Sequence, residues 1–158
     1  MSKIFLFKGK CGSGVTTTLL KYATFFEPSS SHIINLNHYT LGQRDKIKRG
    51  AQILSIDYSD FAFESINSLK MFINRSARWE NIFIDYGDQD RPIGKVNMNE
   101  FSFSDSYILC NVIDSRDILS GFIKPGYNVT DCRFQYFFTF TDHLGDSFDI
   151  FLDSVKKK

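Results

Sequence analysis

The residues best suited to chemistry lie close to the amino terminus, in Lys8-Gly9-Lys10-Cys11-Gly12-Ser13-Gly14-Val15-Thr16-Thr17-Thr18, ahead of the amphipathic run LLKYATFF. Glycines at 9, 12 and 14 let the backbone curl until several N–H groups point into one concavity. A helix that begins behind them adds the positive end of its dipole. That is the physics of a phosphate cradle, with Lys10, Ser13, Thr16 and Thr17 as its polar side chains. A threonine hydroxyl and a carboxylate are hard oxygen ligands of the kind Mg²⁺ takes. Further along, Asp85 closes the apolar run Ile82-Phe83-Ile84.

The spacing fits the P-loop pattern G-x-x-x-x-G-K-[ST] at Gly9, Gly14 and Thr16, with Val15 standing where the pattern has lysine. The segment also resembles the deviant Walker A loop K-G-G-x-x-K-[ST] of the ParA/MinD family of ATPases. On that alignment Lys10 takes the place of the signature lysine, Cys11 replaces the first of two glycines, Gly12 and Thr16 match, and Val15 replaces the second lysine. Further along, Ile33-Ile34-Asn35-Leu36-Asn37 occupies the place of the family's D-x-D strand end, with both acids read as asparagines, and Asp85 that of the later strand-end aspartate. The resemblance implies a shortened, degenerate member with a P-loop NTPase-like, three-layer α/β fold. Its site residues would be Gly9, Lys10, Gly12, Ser13, Gly14, Thr16 and Thr17 for nucleotide, and Thr16 and Asp85 for Mg²⁺ if nucleotide binds.

The departures have chemical consequences. Phosphoryl transfer depends on positioning and on neutralising charge at the γ-phosphate. A hydrogen bond to a charged group is worth roughly 1.5–3 kcal/mol, and Val15 makes none, so affinity falls by about one to two decades from that change alone. Asn37 cannot take a proton from water. The expectation is therefore a pseudo-ATPase, with ATP and Mg²⁺ as the cofactor to test and no catalytic residue assigned. In the family the signature lysine reaches across a dimer to the partner's phosphates, a role the resemblance offers to Lys10.

These residues need a scaffold. Short continuous apolar runs alternate with amphipathic ones, the pattern of an α/β protein with a mostly parallel central sheet flanked by helices. Strands are expected at Lys3 to Phe7, His32 to Leu36, Ile53 to Asp57, Asn81 to Asp85, Ser106 to Val112 and Arg133 to Phe140. The steps Ala62, Ile66, Leu69, Ile73 and Ala77 predict a helix from about Asp60, its N-cap, to Ala77. Further helices are expected near residues 15 to 26, 42 to 51, 115 to 122 and 144 to 155. The length of 158 residues and the absence of a linker predict one domain.

Lys and Arg number 19 against 18 Asp and Glu. That balance argues against DNA as the main partner. The basic stretch Gln43 to Arg49 reads first as a solvated helix face, and Asp88 and Asp90 as a polar loop. Phe148, Phe151, Leu152 and Val155, followed by Lys156 to Lys158, form a stripe that favours core packing over a peripheral membrane contact. Cys11, Cys110 and Cys132 show no metal or disulfide pattern, and His32, His38 and His143 no helical ligand spacing. A cytoplasmic setting is expected. The aromatic fraction of 16%, with 17 Phe, points to a Phe-rich core or to a surface covered by a protein partner, either a second copy or another ATPase.

The expected function is a regulatory or assembly factor in spatial organisation, in partition or in placing a membrane secretion or conjugation machine. One alternative is a dimeric nucleotide-dependent switch in which Lys10 compensates for Val15. The other is a small-molecule or nucleotide kinase, for which Arg91 and Lys95 are the basic residues at hand.

Overall fold

The computed structural model describes residues 2–9, 12–36, 41–60, 66–75, 78–87, 107–114 and 133–139. Strand β1 (Lys3–Gly9) leads into helix α1 (Val15–Ala23). After a 3-10 turn at Pro28–Ser30 follow β2 (Ser31–Asn35), α2 (Leu41–Leu54), β3 (Asp57–Asp60), α3 (Ile66–Arg75), β4 (Asn81–Gly87), β5 (Tyr107–Asp114) and β6 (Arg133–Thr139). The strands form one sheet in the order β3-β2-β4-β1-β5-β6. Every neighbouring pair runs parallel.

A parallel sheet needs cover on both faces, which is why β1 and β4 are continuous apolar runs rather than alternating ones. On one face Phe5, Phe7, Ile33 and Phe83 share a core with Leu19 of α1 and Ile47 and Ala51 of α2. On the other, His32 meets Phe72 of α3 with ring centroids 5.8 Å apart. Helices on both faces make this a three-layer α/β fold. Part of the phenylalanine excess goes inward: Phe5 stacks on Phe83 at 5.1 Å, and Phe26 and Tyr22 meet the same pair edge-on. Phe25 stays exposed.

Two expected boundaries are corrected. The strand predicted at Ile53 to Asp57 is the end of α2, and the strand begins instead at Asp57. Ile47, Ala51 and Leu54 keep helical spacing toward the core, while Ile53 points to solvent. The helix then stops in a Schellman turn, with Ser55 in the left-handed region at φ 58°. The Ser55 N–H donates to Gln52 and the Ile56 N–H to Ala51. The pair Ile56 and Ala51, both in the core, supplies the apolar contact that accompanies this motif. Asp60 is not a helix N-cap but the last residue of β3, and α3 is described from Ile66 to Arg75. The helices expected near 115 to 122 and 144 to 155 lie outside the described residues, as do His38, Cys132 and His143.

At the amino edge of the sheet several polar groups meet around His32 and Trp79, with the His32 Nδ1 left without a partner among the described residues. His32 is buried, its Nε2 2.7 Å from the Ser59 hydroxyl, and its ring stacks on Trp79 with centroids 3.9 Å apart. The Trp79 indole N–H donates to Asp57 at 3.0 Å, Arg78 lies over the same indole and pairs with Asp57, and the Ser2 hydroxyl donates to the Trp79 carbonyl. Burial pushes the His32 imidazole down to about 4, against the attraction of Asp57. It is neutral at physiological pH.

Candidate functional site

The strand order reverses at β1, which has β4 on one side and β5 on the other although the chain visits β2 and β3 first. In open parallel sheets the crevice at the carboxyl ends of strands at such a reversal is where ligands bind. The glycine-rich loop sits there. Gly9 ends β1, and a Cβ on it would fall 2.6 Å from the Val112 carbonyl, 2.7 Å from the Ser13 hydroxyl and 3.0 Å from Val15 Cγ2. Only glycine lets the loop fold back this closely. Gly12 and Gly14 take positive φ of 82° and 88°, and Gly14 is the N-cap of α1.

Gly14 has no side chain to cap the helix and the first turn carries no acid, so among the described residues no side chain caps the positive end of α1. Within that turn the Thr16 hydroxyl donates to Asp85 Oδ2 at 2.6 Å, both residues being buried. Asp85 stands on β4 opposite Phe7 of β1 and Asn35 of β2. The Leu36 N–H donates to the Asp85 carbonyl, tying the end of β2 to the same point. Thr17, half-buried, accepts a hydrogen bond from Lys46 of α2, and Thr18 donates to the Gly14 carbonyl. Ser13 is fully buried and its hydroxyl has no partner among the described residues.

Gly9, Gly12, Ser13, Gly14, Thr16 and Thr17 thus lie along the end of β1, the loop and the first turn of α1, with Asp85 hydrogen-bonded to Thr16. Lys10, Cys11, Asn37, Asp88, Asp90, Arg91 and Lys95 lie outside the described residues. Val15 is buried in the core cluster and brings no charge to the loop. Lys8 does not replace it. Its side chain is 1% exposed, and the alternation of β1 sends it to the face opposite Phe7. Three contributors escape sequence reasoning: Lys46, read as part of a solvated face, and Thr139 and Asp114 at the ends of β6 and β5. The Thr139 hydroxyl donates to the Ser13 carbonyl at 2.8 Å, holding the loop from the far side of the sheet. Asp114, opposite Thr139 in register, is buried. A threonine or aspartate at a strand end carries no signal by type or spacing.

No protein-family model matches the sequence, and no curated protein matches it. Solved structures do. The crystal structure of FlhF complexed with GMPPNP/Mg(2+) matches with a TM-score of 0.62 and 19% identity, over 94% of this chain and 61% of that one. The signal recognition particle receptor FtsY from Elizabethkingia anophelis matches with a TM-score of 0.52 and 19% identity, over 72% of this chain and 42% of that one. The likeness shows the fold, a three-layer, P-loop NTPase-like α/β architecture with a parallel central sheet. The chain spans 61% and 42% of the lengths of these two structures. The expected P-loop NTPase-like fold is met, within a class wider than the ParA/MinD family. Among the described residues no helix is long and apolar enough to cross a membrane.

Proposed function

We propose that the chain is a nucleotide-dependent switch: it binds a nucleoside triphosphate with Mg²⁺ over the loop between β1 and α1, turns it over poorly, and shows its loaded state to a protein partner. The observation that carries this reading is the buried Thr16–Asp85 pair at the foot of an uncapped helix N-terminus. A hydroxyl and a carboxylate brought within 2.6 Å are the oxygen donors Mg²⁺ takes. The N–H groups of the loop and of the first turn of α1 face the place for phosphate oxygens.

Thr16 and Asp85 would hold Mg²⁺, whose contribution is to neutralise phosphate charge. Gly12, Ser13, Gly14 and Thr17 would meet the phosphates, and Lys10 keeps the role the ParA/MinD-like loop offers it, across a dimer. Weak turnover follows from Val15 and Asn37, which carry neither the loop cation nor the acid for water. The neighbour FlhF was solved with GMPPNP and Mg²⁺, which supports a purine triphosphate as ligand. FtsY is named as a receptor, which supports a role facing other proteins. Together with the loop's likeness to ParA/MinD proteins, this favours work in positioning or assembly.

Thermal unfolding with Mg-GTP and Mg-ATP tests the ligand: the preferred nucleotide at a hundredfold excess over its Kd stabilises the fold by about 2.7 kcal/mol. Light scattering under the same conditions tests the switch, which predicts a change in association state on loading. An unfolding curve indifferent to both nucleotides overturns the reading.

A further inference from the structure

The charge that Val15 fails to bring to the loop has a second source. We propose that Lys46, on the neighbouring helix α2, is the phosphate-facing cation of this site. The proposal rests on the nucleotide site described above and names the residue that replaces its missing lysine.

Lys46 Nζ donates to Thr17 Oγ1 at 2.5 Å, a contact between residues 29 apart in sequence. Thr17 is in the opening turn of α1, next to the Thr16 that engages Asp85, so the ammonium stands at the rim of the cradle. The helix geometry makes this placement robust. Ile47 is 1% exposed in the core, and Ala51 one turn later is buried as well, which fixes the rotation of α2 and hence the course of the adjacent lysine. Lys46 itself is exposed on its outer side, as Lys48 and Arg49 are, yet its head turns to α1.

A neutral hydroxyl is a weak partner for an ammonium. A phosphate oxygen is a stronger one, because a hydrogen bond between two ionised groups is about twice as strong as a neutral one. The long flexible stem of lysine lets its head move from Thr17 to an anion beside it without any shift of the helix. Beside the loop, the Ser13 hydroxyl is fully buried against Gly9 and has no partner among the described residues. Electrostatically, the cation is needed on this side because the open N–H groups of α1 act only as partial positive charge.

The test is titration of the full chain with Mg-GTP, Mg-ATP and Mg-pyrophosphate by calorimetry, with thermal unfolding of each variant alongside. Lys46→Gln keeps a donor for Thr17 and removes the charge. It is expected to weaken binding of the preferred nucleotide tenfold or more with an unchanged melting temperature, and to flatten the dependence of affinity on salt. Lys46→Arg should stay within about threefold of the original, and Val15→Lys added to Lys46→Gln should recover most of the loss. Lys46→Gln binding as tightly as the parent, or Lys46→Arg losing as much as Lys46→Gln, overturns the proposal and leaves the site itself standing. A parent chain that binds none of the three ligands at millimolar concentration overturns the site, and the proposal with it.

Discussion

The two ends of the sheet arrange their polar groups differently, as side chains bonded to one another at the amino edge and as a glycine loop and helix start at the carboxyl edge. At the amino edge, the buried His32 and Trp79 stack on each other and bond to Ser59 and to the exposed Asp57, with Ser2 and Arg78 at the rim, and among the described residues the His32 Nδ1 has no partner. At the carboxyl edge, Ser13, Thr16, Asn35, Asp85 and Asp114 are buried, and among the described residues no side chain caps the start of α1 and the Ser13 hydroxyl has no partner. Buried polar groups that close on each other hold a fold together, while those gathered around open donors bind something else. The difference sets the stacked joint at the amino edge apart from the loop at the carboxyl edge, where the proposed site lies.

The largest expected effect lies at the carboxyl edge. Thr16→Val removes the hydroxyl beside Asp85 and should cost the Mg²⁺-dependent part of nucleotide affinity about 3 kcal/mol, roughly a hundredfold, as read by titration with and without chelator. If the two ends are as unlike as described, the matching change at the amino edge, Ser59→Ala, leaves that affinity alone.

Next is the pH dependence of the amino edge. The folded chain keeps His32 neutral down to about pH 4, whereas the unfolded chain protonates it near pH 6.5. Stability contributed by the neutral imidazole is present above about 6.5, falls as pH descends, and levels off below about 4. The shift corresponds to about 3 kcal/mol across that window, measurable by urea unfolding at a series of pH values. His32→Phe should flatten that slope. A slope that persists in this variant places the titrating group elsewhere and breaks the contrast.

Gly9→Ala is smaller. Its Cβ would press on the Val112 carbonyl and the Ser13 hydroxyl, and the loop must open to take it, at about 1–3 kcal/mol of stability by chemical denaturation. Smallest is Arg78→Ala. The ion pair with Asp57 joins side chains that are 73% and 57% exposed, so its loss should move stability by no more than about 1 kcal/mol even with the contact to the Trp79 ring.

The sequence made the loop, β1, β4 and the pairing of Thr16 with Asp85 legible, because glycine spacing and continuous apolar runs are local signals with one physical cause each. The end of α2 was not legible in the same way. Ile53 and Ile56 flank a turn that only the left-handed Ser55 reveals, so a helix end and a strand start merge into one apolar run. Asp60 reads as a helix cap by type, but its place in β3 follows from pairing with Asn35, which is tertiary. Lys46 and Thr139 reach the loop across 29 and 126 residues, and nothing local marks either contact. The stack of His32 on Trp79 is equally long-range; the sequence supports only a core or polar role for the histidine.

The central claim is that the open carboxyl edge binds a nucleoside triphosphate through Mg²⁺ held by Thr16 and Asp85. Calorimetric titration of the chain with GTP and with ATP, each in Mg²⁺ and again in excess chelator, tests it most directly. The account predicts binding of one of them at micromolar to sub-millimolar concentration that weakens sharply in chelator and in Thr16→Val. Equal heats with and without Mg²⁺, or no heat from either nucleotide up to millimolar concentration, would contradict it.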